Sequence, residues 1–200
     1  VLINLKNGTF ELSCKEKFLR DFNQNDFLTY QLNFNYDKEA KYPLFQSFLD
    51  KVLPNKDVQK LLAEYIGSIF LKNGNSLLKI EKVMLLYGSG ANGKSVFYEV
   101  ITALIGKENI TSYSLQSLTN ETGYQRAKLE NVLLNYAPEI SSKMNPTIFK
   151  QLASGEEVEA RLPYGEPFIM SNYAKFLFNC NELPKETEQT KGYFRRFIIV

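Results

Sequence analysis

Two hundred residues, 44% hydrophobic and 23% charged, suffice for one large domain or two small ones around a hydrophobic core. A net charge of only +2 excludes a general nucleic-acid-coating protein, so any such contact must be local. The lack of histidine excludes His-based zinc sites, Ser-His-Asp triads and imidazole acid–base catalysis.

Along the chain, Val1 to Ser13 alternates apolar and polar residues about Asn7-Gly8, which predicts a small two-stranded ribbon. Cys14 and Cys180 match no metal or redox spacing and read as free thiols of a reducing cytoplasm. From Pro43 the period turns helical. Leu44, Phe45, Phe48, Leu49 and Val52 share one face, with Pro43 starting the helix and Pro54 ending it. A second helix is expected with Asp57 as N-cap, a core-packing stripe from Val58 through Phe70, and Gly74 as its stop. These elements predict a small, mainly helical domain with its hairpin over residues 1–75, and a second domain over 76–200.

Val83 to Leu86 is an apolar run that predicts a buried strand. It leads into Gly88-Ser89-Gly90-Ala91-Asn92-Gly93-Lys94-Ser95, a full match to the phosphate-binding P-loop, or Walker A, pattern. The glycines let backbone N–H groups close on the β-phosphate of ATP, Lys94 brings a point charge to the β and γ oxygens, and the Ser95 hydroxyl suits Mg²⁺. Val96 opens an amphipathic helix that runs to Ile105 and stops at Gly106, so the loop ends at a helix N-terminus where anions bind.

Beyond it lie a polar stretch over 112–123 and a short helix through Arg126 and Leu129. Val132-Leu133-Leu134 reads as a second strand running into Asn135-Tyr136-Ala137-Pro138-Glu139. Asn145-Pro146 starts a helix that Ser154-Gly155 stops, and Val158–Arg161 and Phe168–Met170 read as two short strands. Lys175 to Asn181 is a third strand with a polar end, and Phe197 to Val200 reads as the middle of another, which leads one to expect further chain beyond it. Strands alternating with helices predict an α/β fold with a mostly parallel sheet and flanking helices. No apolar run is long enough to span a membrane and the first residues form no leader, so a soluble cytoplasmic protein without a membrane partner is expected.

Phosphoryl transfer to water needs a carboxylate, a group that orients the water and a cation for the γ-phosphate. The last aspartate is Asp57, so the carboxylate must be a glutamate. Glu139, just past an apolar strand, is the candidate for activating water and holding metal. Asn181 at the end of the next strand can orient the water. Arg195 and Arg196 supply adjacent cations.

In this order the motifs resemble those of the superfamily 3 helicases, in particular the phage and plasmid primase-helicase family, over nearly the whole chain. Gly88 to Ser95 resembles that family's P-loop, including Asn92; Leu133 to Glu139 resembles its acidic motif; and Phe178 to Pro184 resembles its sensor motif, with Asn181 as sensor. Lys150, Ser154-Gly155-Glu156 and Arg161 resemble its additional motif, and Gly192 to Arg196 its arginine-finger segment, with Arg196 the preferred finger. Glu156 stands where the family usually has Asp, and Gly165 where a Lys is common. The resemblance implies an AAA+-like ATPase core, ATP and Mg²⁺, and a homo-oligomeric, hexameric ring with ATP between subunits. It further implies DNA replication for a phage, plasmid or mobile element, acting on single-stranded DNA or a replication fork, with a primase upstream. The turn at Leu162-Pro163-Tyr164-Gly165-Glu166 would lie in the ring channel, with Tyr164 stacking on DNA and Arg161 and Lys175 meeting phosphates. A P-loop switch or loader that remodels a complex without unwinding uses the same nucleotide site, a structural nucleotide-binding module would leave Glu139 and Arg196 as bystanders, and a P-loop kinase would need an acceptor site.

Overall fold

Contacts in the computed structural model divide the chain into two units, Val1–Leu71 with Ser95–Asn109, and Lys72–Lys94 with Ile110–Val200. The structure describes residues 1–13, 17–71, 80–137, 144–182 and 191–200. The expected domain boundary at 75/76, Gly74 as helix stop and Cys14 lie outside them.

In the first unit, β1 (Leu2–Leu5), β2 (Gly8–Leu12) and β3 (Lys17–Arg20) form an antiparallel sheet. Leu5 pairs with Gly8, so Lys6-Asn7 makes the turn, one residue earlier than Asn7-Gly8 would place it. Gly8 sits at φ 143°, and a Cβ there would meet the Arg20 carbonyl oxygen at 2.4 Å; β3 can approach only a glycine. The expected mainly helical front is thereby corrected, because a three-stranded sheet accompanies the helices. β3 gives no local signal: it has four residues and is held by Arg20, whose guanidinium bridges Glu11 and Asp26 at 2.7 Å each.

α1 (Pro43–Val52) starts at its proline and stops before Pro54 as predicted, with Leu53 as C-cap, but Leu44, expected on the shared apolar face, is 88% exposed. α2 (Lys56–Gly67) is capped by Asn55, whose Oδ1 accepts from the Asp57 and Val58 N–H groups, so Asp57 lies in the first turn and is not the N-cap. The Asp50 carboxylate joins these helices by accepting from Gln46, Gln59 and Lys56, which holds it down to about 2. α3 (Lys94–Ile105) begins at the P-loop lysine, and Phe97 on it stacks on Phe45 of α1 with ring centroids 6.5 Å apart.

The second unit is built on a five-stranded parallel sheet, bearing out the α/β expectation. Its strands are β4 (Val83–Tyr87), β5 (Ile110–Thr111), β6 (Leu134–Ala137), β9 (Lys175–Cys180) and β10 (Phe197–Ile199), in the order β10-β4-β9-β6-β5. β6 starts two residues later than Val132. Its Asn135 is fully buried because the amide exchanges bonds with Tyr113 N–H and C=O at 2.9 Å and accepts from the Thr111 hydroxyl. Short helices α4 (Leu115–Leu118), α5 (Tyr124–Ala127) and α7 (Lys191–Phe194) accompany α6 (Pro146–Ser154), which Asn145 caps and Gly155 ends at φ 68°. β7 (Val158–Arg161) and β8 (Pro167–Met170) form the antiparallel hairpin. One core joins Val83 and Leu85 of β4, Phe149 and Leu152 of α6, Val158 and Ala160 of β7, Phe176 and Phe178 of β9, and Tyr193 of α7. Truncating the fully buried Phe149 would cost about 3–5 kcal/mol.

Candidate active site

All five strands of the parallel sheet point the same way, so the segments after β4, β6 and β9 leave from one edge. The P-loop follows β4, Asn181 follows β9 beside it, and β6 on the far side of β9 ends at Ala137, two residues before Glu139. In open α/β sheets this edge is where ligands bind. Glu139 itself lies outside the described residues. The Gly88 N–H bonds the Cys180 carbonyl at 3.0 Å, which sets the first loop glycine beside the residue preceding Asn181, and Asn181 is exposed.

The loop shapes itself around its lysine. Lys94 Nζ donates to the Gly88 carbonyl at 2.5 Å, the Ser89 carbonyl at 3.3 Å and Asn92 Oδ1 at 2.9 Å. The Asn92 amide lies over Gly88 so closely that a Cβ there would meet Nδ2 at 1.9 Å, whereas a Cβ on Gly90 meets nothing within 4 Å. Asn92 is therefore a clamp on the lysine, and Gly88 is the residue that makes room for it. Ala91 at φ 63° and Gly93 at φ 89° carry the chain through the left-handed turns that lead into α3. Ser95 and Val96, in the first turn of α3, are exposed. Cys180 is buried; its thiol donates to the Glu182 carbonyl at 2.7 Å, and burial pushes its pKa up.

Two polar side chains that the sequence did not single out lie under this edge. The hydroxyl of Tyr136, on β6 and fully buried, donates to Asn179 Oδ1 on β9 at 3.0 Å and lies 3.5 Å from the Lys94 carbonyl oxygen.

The arginine pair sits at the opposite edge. Arg196 O accepts from Val83 N at the start of β4, five residues or roughly 16 Å of strand from Gly88. The two side chains part there. Arg196 is 9% exposed, its Nε and terminal nitrogens donating to Ser154 Oγ at 3.2 and 3.0 Å and to the Gly192 carbonyl. The Arg195 side chain is 60% exposed, resting on Glu81 at 3.0 Å beside a cavity of about 400 Å³ that Ile80, Glu81 and Lys82 also line.

At the tip of the β7–β8 hairpin, the Gly165 N–H bonds the Leu162 carbonyl at 2.9 Å, with Pro163 and Tyr164 between them. Tyr164 is at φ 62°, where this type of turn prefers glycine, and its side chain is fully exposed. Arg161 Nε ties the turn by donating to the Gly165 carbonyl at 2.8 Å. Lys175 does not join them. It opens β9, at the far end of the hairpin from the tip, and burial lowers its pKa. Arg126, read from the sequence only as part of a short helix, is 4% exposed and donates to the Glu159 carbonyl of β7 at 2.7 Å and to the Leu118 and Asn120 carbonyls, pinning the hairpin to the α4–α5 segment.

Among known proteins, residues 86–196 match the model of a family described as of unknown function, DUF5906, and residues 1–54 match "D5 N terminal like". The chain is 26% identical to "Putative helicase L207/L206" of Acanthamoeba polyphaga mimivirus, over its whole length and 21% of that protein. It is 31% identical to "Putative helicase 121R" of Invertebrate iridescent virus 3, over its whole length and 22% of that protein. It thus spans about a fifth of these relatives. The solved C-terminal region of NrS-1 superposes with a TM-score of 0.60 at 15% identity, over 80% of this chain and 38% of that one. The JCV helicase gives 0.50 at 12% identity, over 76% and 42%. At such identities these two structures bear on the fold alone.

Proposed function

The chain belongs to the DUF5906 family and, with its D5 N-terminal-like front, is the D5_N/DUF5906 region of a superfamily 3 helicase; from that premise we propose that it is the ATP-hydrolysing part of a replicative DNA helicase. One observation carries this reading: the P-loop, Asn181 and the approach to Glu139 leave one edge of the sheet on three neighbouring strands. Lys94 exchanges its three loop oxygens for the β and γ oxygens of ATP. Water attacks the γ-phosphorus, Glu139 takes its proton, Asn181 orients it, and the bond to the departing ADP oxygen breaks. The Ser95 hydroxyl and the Glu139 carboxylate are hard oxygen donors that fit Mg²⁺, which when bound neutralises phosphate charge.

The cation comes from another subunit. Both arginines are too far along the sheet to reach the P-loop of their own chain, and ring assembly would bring a neighbour's Arg195 to it. Exposure favours Arg195 as the finger, and the buried bonds of Arg196 make it the residue that positions Arg195. Tyr164 and Arg161 are the DNA contacts at the hairpin; the placement of Lys175 supports no such role. A P-loop switch that remodels a complex without unwinding shares the ATP site, and strand separation distinguishes the two. The test is nucleotide binding and turnover by the full-length protein. Lys94→Ala should lose both, and Glu139→Gln should bind ATP without hydrolysing it. Normal turnover by folded Lys94→Ala refutes the reading.

A further inference from the structure

We propose that the Tyr136 hydroxyl and the Asn179 carboxamide form a polar brace that sets the backbone of Lys94, at the end of the P-loop, against the ends of β6 and β9; the proposal rests on the ATPase reading. Both residues lie in strands otherwise built for the core: Leu134 and Ala137 flank Tyr136, and Phe176 to Phe178 precede Asn179, all buried. A phenylalanine and a leucine would fill the same space with no buried polar group to satisfy. Two polar groups instead meet at 3.0 Å, with Tyr136 at 0% and Asn179 at 8% exposure. The Lys94 carbonyl oxygen is 3.5 Å away, so one hydroxyl faces acceptors on the last residue before Ser95 in the P-loop and on the sensor strand. The strand that carries the hydroxyl leads to Glu139 and the strand that carries the amide leads to Asn181.

The loop holds its lysine with its own atoms, Gly88, Ser89 and Asn92, and does not need the brace to bind phosphate. What the brace fixes is the distance from that lysine to the groups acting on water. Tyr136 and Asn179 are therefore positioning residues, and losing them should lower kcat while sparing ATP affinity.

The experiment measures ATP Kd and steady-state hydrolysis for full-length wild type, Tyr136→Phe, Asn179→Leu and the double variant, with melting temperatures alongside. Loss of one buried hydrogen bond corresponds to about 2–10-fold. Each single variant should lose that much in kcat with Kd within about twofold of wild type, and the double variant should lose no more than the worse single one, as expected of a pair acting as a unit. A purely structural role would shift melting alone. Unchanged kcat in a folded Tyr136→Phe variant overturns the brace, as does additive loss in the double variant; if Tyr136→Phe does not fold, Asn179→Leu alone is read by the same criteria. A wild type that binds and hydrolyses no ATP overturns the ATPase reading itself, an outcome visible before any variant is compared.

Discussion

The adjacent arginines should fail in opposite ways when each is cut to alanine. Arg196→Ala strands the buried Ser154 Oγ and the partly buried Gly192 carbonyl. At about 1–3 kcal/mol for the buried Ser154 acceptor alone, the fall in melting temperature is at least about 2 °C for a chain of this size. Arg195→Ala removes a 60% exposed side chain with one surface ion pair to Glu81, worth less than about 1 kcal/mol after solvent screening. As a finger, however, Arg195 should contribute on the order of 10³ to 10⁵ in rate. Thermal melts and ATPase rates of the two full-length variants decide the matter: Arg196→Ala should be the less stable, and Arg195→Ala stable but nearly inactive. Mixing Arg195→Ala with Lys94→Ala subunits should restore some turnover, because certain interfaces regain a complete site. Normal hydrolysis by Arg195→Ala, or wild-type melting of Arg196→Ala, would refute the assignment.

Other outcomes follow from single contacts. Gly88→Ala must displace the Asn92 amide from Lys94 and should change ATP affinity, whereas the Cβ of Gly90→Ala meets nothing in the loop and should change it less; equal effects in a nucleotide-binding assay would contradict the clamp. Tyr164→Gly should stabilise the hairpin by up to about 1 kcal/mol in denaturant melts, because glycine adopts the left-handed turn without strain, yet weaken single-stranded DNA binding by about 1–3 kcal/mol through lost stacking. A variant at wild-type DNA affinity removes the hairpin from the DNA interface. Asp50 should titrate at about 2 by NMR and move up toward 3.8 in Lys56→Ala. Because its folded value is depressed, the linked stability is present above about pH 4 and lost as pH falls toward 2, and Asp50→Asn should abolish that acid-dependent loss.

What was legible in the sequence was local. The P-loop announces itself because its chemistry depends on spacing within eight residues, Gly88 to Ser95, and α6 because Asn145, Pro146 and Gly155 carry its caps. In the hairpin β7 alternates as Val-Glu-Ala-Arg and β8 is a short apolar run after the Leu162–Glu166 turn, and both match their expected bounds nearly to the residue. By contrast β3 reads Lys-Phe-Leu-Arg, with no alternation, and β5 has only two residues; both exist through partners distant in sequence. Asn55 and Asp57 are both good caps, and only the bonds from the Asp57 and Val58 N–H groups to the Asn55 side chain identify Asn55 as the one used. Arg195 and Arg196 are chemically identical neighbours; burial against Ser154, 42 residues away, is what separates them. The roles of Tyr136, Asn179 and Arg126 escaped for the same reason, since each depends on a partner on another element.

The most direct test of the central claim is ATP turnover by the full-length protein with and without single-stranded DNA. The account predicts turnover that Lys94→Ala abolishes and single-stranded DNA accelerates, with the acceleration, but not the basal rate, lost in Tyr164→Ala. Absence of turnover by wild type under both conditions, or turnover that Lys94→Ala leaves intact, would contradict it.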